Sequence, residues 1–177
     1  MNKEEFVINS PDVGSVKWWI GDLGVYANHA ILFAQLIIQG KNYGLHTFLV
    51  PLRDENHNLL PNVEAGDIGP KYGYQTKDNG YVKFNNHRIP RENMLMRYAK
   101  VDKSGNYERR GNERISYATM LFVRSIIPVA CSHGLAKAAT ILTRYSLVRS
   151  QFKDDHNKEI PILDYQLQQD KILPRIA

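Results

Sequence analysis

His29-Ala30-Ile31-Leu32-Phe33-Ala34-Gln35-Leu36-Ile37-Ile38, then Gln39-Gly40-Lys41-Asn42, then Gly44-Leu45-His46-Thr47-Phe48-Leu49-Val50-Pro51-Leu52 is the stretch that decides the fold. Two apolar runs flank a glycine turn, the signature of an antiparallel hairpin. The first run is almost continuously apolar, which predicts a strand buried on both faces. Upstream, Phe6-Val7-Ile8-Asn9 reads as a short strand closed by Ser10-Pro11-Asp12, and Val16 to Ile20 as the next. Downstream come a polar loop from Arg53 to Asn58, a strand at Val63-Glu64-Ala65 and a looped Gly66–Tyr74 piece. Asp78-Asn79-Gly80 is a turn signal before Tyr81-Val82-Lys83-Phe84, whose alternation suggests an exposed strand. His87-Arg88-Ile89-Pro90 then leaves the sheet. Residues 5–97 are thus expected to form a small antiparallel barrel or sandwich.

Beyond a polar hinge over residues 101–111 the period changes. Met120, Arg124, Ile127, Cys131, Leu135, Ala138, Leu142, Tyr145 and Arg149 recur at three to four, one face of a long helix. Asn112 suits its N-cap and Glu113 its first turn. Pro128 removes a backbone donor and should kink the helix near Arg124. Lys153 to Glu159 reads as a charged loop, and Pro161 as the first position of a second helix running to the chain end. The class is therefore α+β: a β domain over 1–100, a hinge over 101–111 and a helical part over 112–177. Two helices cannot bury their own apolar faces, so the chain is expected to be a piece of a longer protein.

The composition is that of an ordinary globular protein: 43% hydrophobic, 23% charged and net charge +5 over 177 residues. The basic residues are scattered, without the aromatic-interleaved stripe of a nucleic-acid groove. Cys131, the single cysteine, permits no intrachain disulfide and reads as a buried thiol. Ala30–Ile38, the longest apolar stretch, falls short of the roughly 20 residues a bilayer requires, so no membrane partner is expected. No His/Glu/Asp cluster has metal-ligand spacing, and His29, His46 and His133 read as core histidines.

Lys17-Trp18-Trp19-Ile20-Gly21-Asp22-Leu23-Gly24 carries the site. In an extended segment consecutive side chains point to opposite faces, so one indole can enter the core while the other faces a cleft. Gly21 and Gly24 would let the backbone approach a flat ligand with no Cβ in the way. A core Trp pair ending in a turn fits the spacing equally.

The chain resembles the acyl-CoA oxidases, peroxisomal flavoenzymes related to the acyl-CoA dehydrogenases. The resemblance runs through Phe6-Val7-Ile8-Asn9-Ser10-Pro11, Lys17-Trp18-Trp19-Ile20-Gly21, Asn28-His29-Ala30 and Tyr43-Gly44-Leu45-His46-Thr47-Phe48. It continues in Gly66-Asp67-Ile68-Gly69-Pro70-Lys71, Asp78-Asn79-Gly80-Tyr81, Arg88-Ile89-Pro90-Arg91-Glu92-Asn93-Met94-Leu95, Phe122-Val123-Arg124 and Arg144-Tyr145-Ser146. It implies the family's central β domain followed by the first two helices of an acyl-CoA dehydrogenase-type C-terminal bundle. It also implies FAD as cofactor, acyl-CoA and O2 as substrates, trans-2-enoyl-CoA and hydrogen peroxide as products, a homodimer and a place in the peroxisome.

Residue by residue, the resemblance sets Trp19 against the flavin and puts Gly21 where dehydrogenases carry a hydroxyl that bonds it. The bare Gly21 would leave space beside the ring for oxygen. Arg149, Gln151 and Phe152 match a segment that reaches the FAD of a neighbouring subunit, with Lys153 where the family usually has Gly. Arg124 matches an arginine near the CoA thioester; pairing to a carboxylate is an equal reading. The family's base is a glutamate far along the C-terminal helices, whereas the acids after Glu159 are Asp164 and Asp170. That base is thus expected beyond Ala177, and the chain alone inactive. A non-catalytic module binding flavin, acyl-CoA or an oxidase partner, and an acyl-CoA dehydrogenase, are the alternatives.

Overall fold

The computed structural model describes residues 4–112, 115 and 118–176. It divides into two units, Met1–Asn112 and Glu113–Ala177. The first is all antiparallel β. It holds β1 (Glu5–Ile8), β2 (Lys17–Gly21), β3 (His29–Ile38), β4 (Lys41–Pro51), β5 (Val63–Asp67), β6 (Asn79–Phe84), β7 (His87–Pro90), β8 (Ala99–Val101) and β9 (Tyr107–Arg109). They pair as β1–β7, β2–β6–β5, β3–β4 and β8–β9. No closed barrel joins these sheets among the described residues.

The long hairpin forms as expected, from His29 opposite Pro51 to Ile38 opposite Lys41. Burial of β3 on both faces is not what the structure shows. Leu32 and Leu36 point into the core, while Ile31 and Ile37 on the other face stay more than half exposed, because among the described residues no second layer covers that side of a two-stranded sheet. Phe48 and Val50 from β4, and Leu52 just beyond it, meet Val82 and Phe84 from β6 and Ile89 from β7 in one core, and Phe6 meets Phe48 edge-on at 5.4 Å.

Three further expectations change. β6 is the central strand of its sheet rather than an exposed one, so Val82 and Phe84 are buried. His87–Pro90 stays in register with β1 instead of leaving the sheet. The hinge region contains the β8–β9 hairpin, whose turn Asp102 organises by accepting from Ser104 N and Asn106 N, both at 2.8 Å. Asp54 holds the 54–58 loop in the same way, from Asn56 N and Asn58 N.

The second unit contains α1 (Ala118–Val148), the hairpin β10 (Ser150–Lys153) and β11 (Glu159–Pro161), and α2 (Gln166–Ile176). α1 is described from Ala118, and the capping read for Asn112 and Glu113 falls on a stretch in which residues 113, 114, 116 and 117 lie outside the described residues. α1 runs unbroken past Pro128. Its apolar residues are distributed around the whole circumference rather than along one face: Leu121, Phe122, Ile127, Leu135 and Ile141 are all exposed. Cys131 and His133 are exposed too, as is His29 in the first unit. Met120–Val148 is long and apolar enough to cross a bilayer by length and composition alone, a test that the core helix of a larger helical bundle passes equally. A helix apolar all round belongs inside a larger helical core or in lipid.

Two more corrections follow in this unit. The charged 153–159 segment is the tip of the β10–β11 hairpin. There Asp154 organises the tip, accepting from His156 N and Lys158 N at 2.9 Å. Pro161 ends β11 and precedes a short 3-10 turn, so α2 opens at Gln166. Ile172 and Ser146 are buried, and Gln168 donates to Ser146 Oγ at 3.0 Å, tying α2 to α1.

Candidate cofactor site

β2 is an edge strand with an irregularity at its centre. Lys17 pairs with Val82 and Ile20 with Gly80, so three steps on β2 span two on β6. The extra residue is a β-bulge at Trp18–Trp19, with Trp19 in the left-handed region at φ 70°. A bulge breaks the alternation of side chains and re-aims them. Both indoles are therefore 57% exposed, and the expectation that one of them enters the core fails for that reason. Trp18 stacks on Tyr81, with centroids 5.5 Å apart and planes 20° apart. Tyr81 in turn covers Gly66, where a Cβ would come within 3.0 Å of the ring. Among the described residues no ring stacks on Trp19. Its carbonyl accepts from Asn79 Nδ2 at 3.4 Å.

The loop after Gly21 is held firmly. Asp78 Oδ2 accepts from Val25 N at 2.9 Å and Tyr26 N at 3.2 Å. Asp22 N donates to the Asp78 carbonyl, Arg53 Nη2 to Gly24 O at 2.8 Å and His57 Nε2 to Val25 O at 2.6 Å. Gly24 serves this packing rather than ligand approach. A Cβ on it would lie 2.4 Å from Asp78 Oδ1, and one on Gly80 would lie 2.2 Å from Gly24 N. Gly21 differs: its Cβ position faces only the Lys77 side chain, with Cε at 3.3 Å and Nζ at 3.6 Å. Lys77 Nζ pairs with Asp22 Oδ1 at 2.5 Å. Beside them the 68–77 loop presents Tyr72 and Tyr74 to solvent, with Lys71 Nζ bracing it on Lys77 O and Asn79 Oδ1. Asp67 caps the loop entry through Gly69 N at 2.6 Å, as a turn residue should.

This end of the β2–β6–β5 sheet therefore gathers an unstacked indole, a bare backbone stretch and an ammonium. Such a set suits a flat polar ring system. The opposite end of the sheet holds a polar cavity of about 520 Å³ lined by Asn9, Asn62, Glu64, Lys83, Asn85 and Asn86, with no comparable aromatic wall.

In the second unit the structure brings Arg149, Gln151 and Phe152 together. Arg149 follows the last turn of α1 and donates from Nη2 to Gln151 Oε1 at 3.0 Å. Its carbonyl accepts from Ile162 N, and Gln151 O accepts from Tyr165 Oη at 2.7 Å. Ser150 pairs with Pro161 and Lys153 with Glu159, which leaves one extra residue on β10. Phe152 sits at that bulge with φ 61° and its ring 73% exposed. Arg124 is not part of this group. It lies on the exposed surface of α1, 24 residues or about 36 Å of helix before Val148.

His46, read as a core histidine, is half-buried. Nδ1 contacts Gly44 O at 3.1 Å and Nε2 contacts Tyr107 Oη at 3.2 Å. Among the described residues no group of three or more His, Cys, Asp or Glu is placed to hold a metal ion. Lys77, Asp22 and Tyr81 were missed as site residues. Lys77-Asp78-Asn79-Gly80 reads only as a turn, and the pairing of Lys77 with Asp22 spans 55 residues that no local signal connects.

The chain is similar to several known proteins. Residues 117–177 match the family model "Acyl-CoA oxidase, C-alpha1 domain". Peroxisomal acyl-coenzyme A oxidase 1 of Cavia porcellus is 52% identical over 176 residues, 98% of this chain and 27% of that protein. The solved Arabidopsis thaliana acyl-CoA oxidase 1 superposes with a TM-score of 0.90 at 43% identity, covering 98% of this chain and 27% of the other. Acyl-CoA oxidase-1 of Caenorhabditis elegans, solved in complex with FAD and ATP, gives 0.85 at 44% identity over 98% of this chain and 26% of that one. The chain thus spans about a quarter of the length of the relatives it matches.

Proposed function

Because this chain belongs to the acyl-CoA oxidase family, we propose that it is the flavin-side segment of an FAD-dependent acyl-CoA oxidase acting in the peroxisome. When bound, FAD supplies the two-electron chemistry by which acyl-CoA becomes trans-2-enoyl-CoA and O2 becomes hydrogen peroxide. The chain's own residues position and enclose. Trp19 walls one side of the ring, and its bulge turns a strand residue toward the ligand. Gly21 lets the ring edge approach the backbone. Arg149, Gln151 and Phe152 reach the FAD of a second subunit in a homodimer. There the arginine fork suits a pyrophosphate, pairing two oxygens at once, with Phe152 as an apolar contact. Arg124 serves the CoA side of the acyl pocket. The proton-abstracting glutamate is not among these residues, and α1 is a helix of the family's bundle rather than a membrane span.

The observation that carries the reading is Trp19: a bulky residue held at positive φ, more than half exposed, beside a glycine whose Cβ direction is lined by one flexible lysine. Left-handed backbone at a non-glycine residue costs about 1–2 kcal/mol, and such strain clusters where ligands are gripped. The test is titration of the purified 177-residue chain with FAD, followed by quenching of tryptophan fluorescence and by the flavin spectrum. Saturable binding that Trp19→Ala abolishes is expected, without peroxide on adding acyl-CoA. An undiminished affinity in Trp19→Ala refutes the placement.

A further inference from the structure

On sequence, the bare Gly21 implies an open space beside the flavin. The structure fills that space. Lys77 Cε and Nζ lie 3.3 and 3.6 Å from the point where a Cβ on Gly21 would stand, the direction in which a hydroxyl side chain would extend. The Lys77 backbone is anchored on both sides, and its ammonium is paired with Asp22 Oδ1. The Lys77 carbonyl accepts from Lys71 Nζ at 2.5 Å and its N–H donates to Tyr74 O at 3.1 Å. Its partner Asp22 is fixed through its own backbone, N–H to Asp78 O at 2.9 Å and carbonyl from Ala27 N at 2.7 Å. As a stability device such a half-exposed ion pair contributes little, about 0–1 kcal/mol. Its consequence is positional: a preorganised cation with a tethered counter-charge, lying against the one glycine of this loop whose Cβ position meets only a flexible side chain.

Resting on the flavin reading above, we propose that Lys77 is the cofactor-contacting cation of this site, its ammonium replacing the hydroxyl donor that Gly21 lacks, and that Asp22 moderates its charge. A cation beside the ring favours the electron-rich reduced cofactor over the oxidised one, and the Asp22 carboxylate opposes that preference. Removing either member of the pair therefore shifts the preference in opposite directions, which a merely structural salt bridge would not do.

The experiment compares dissociation constants of oxidised and dithionite-reduced FAD for the 177-residue chain under anaerobic conditions, read by tryptophan quenching. Lys77→Met is expected to cut the preference for reduced FAD about tenfold, the scale of one charge-assisted hydrogen bond. Lys77→Arg restores it, and Asp22→Asn, which keeps a side chain tolerant of the Asp22 backbone at φ 64°, raises it. An unchanged ratio in Lys77→Met, or shifts of the same sign in Lys77→Met and Asp22→Asn, overturns the assignment of Lys77 alone. A wild-type chain that binds neither form overturns the flavin reading, and Lys77 falls with it.

Discussion

Gly80→Ala is the sharpest perturbation this fold offers. An added Cβ would stand 2.2 Å from Gly24 N, 2.6 Å from Gly24 Cα and 2.7 Å from the Leu23 carbonyl carbon. All three are backbone atoms, so no side chain can swing aside. Restoring ordinary contact requires the 22–27 loop to retreat from β6 by about 1 Å. That loop is bound to the same strand region by Asp22 N to Asp78 O and by Val25 N and Tyr26 N to the Asp78 carboxylate. Gly80 cannot move instead, because it is paired on both sides, with Ile20 on β2 and Asp67 on β5. Overpacking of a close-packed site costs typically 1–3 kcal/mol, and two broken hydrogen bonds to a buried carboxylate add about 1 kcal/mol or more each. A loss of about 3–5 kcal/mol follows, a large fraction of the 5–15 kcal/mol of a typical domain. Urea denaturation followed by tryptophan fluorescence reports on this unit, since Trp18 and Trp19, the only two tryptophans, both lie in it. A midpoint shift corresponding to less than 1 kcal/mol would refute the close-approach account of Gly80.

Three further outcomes are expected. Trp19→Gly suits φ 70° without a Cβ penalty, so stability in urea should change by less than about 1 kcal/mol while FAD binding is lost; a large destabilisation would make Trp19 structural. Gly134→Ala on α1 adds a Cβ with nothing within 4 Å and should stabilise the helix by about 0.8–1 kcal/mol, measured as a higher denaturation midpoint by circular dichroism. Hydrogen bonds to the charged form hold two loop carboxyls below the ordinary aspartate value: chiefly from the Asn58 backbone for Asp54 and from the Asn106 side chain for Asp102. A depressed folded value means that their contribution is present above the ordinary value and lost as pH falls through the folded one. NMR titration of the Asn58 and Asn106 amides should therefore show midpoints below that of a free aspartate, and a midpoint at or above it would contradict the loop geometry.

The β3–β4 hairpin was legible because length, apolarity and the Gln39-Gly40 turn all agree on it. Its exposed face was not, since continuous apolarity says that both faces favour burial, not that 177 residues supply both layers. Ile31 and Ile37 are the cost of that inference. The loops at Asp54, Asp102 and Asp154 share one construction that composition alone concealed. In each, the aspartate carboxylate accepts from the backbone N–H two and four residues on. A left-handed residue, His57, Gly105 or Asn157, stands at the fourth position. An Asp followed three residues later by Gly, Asn or His between two apolar runs would have identified all three as hairpin tips, including the one read as a hinge. On α1 the three-to-four spacing selected one face from a helix that is apolar on every face, so the periodicity was real but not informative. Pattern alone does not choose among the exposed aromatics; only the family resemblance points to Trp19 and Phe152.

The two aromatics it selected share a property that no sequence rule marks. Trp19 and Phe152 each occupy the extra position of a β-bulge, at φ 70° and 61°, with rings more than half exposed. Elsewhere the left-handed residues include Asn62, Asn86 and Asn157, where reversal of the chain itself demands that geometry and a short polar side chain tolerates it. A strand makes no such demand. An extended Trp or Phe would sit in the ladder without strain, alternate to one face, and keep the register. Both instead carry a cost of order 1–3 kcal/mol and expose apolar surface that extended geometry could place against the sheet. Because two strands in separate units bear the same cost for the same residue class, the bulges are best accounted for by what they present, a ring turned outward on rigid backbone. That is the arrangement that the flavin contacts proposed above for Trp19 and Phe152 would use.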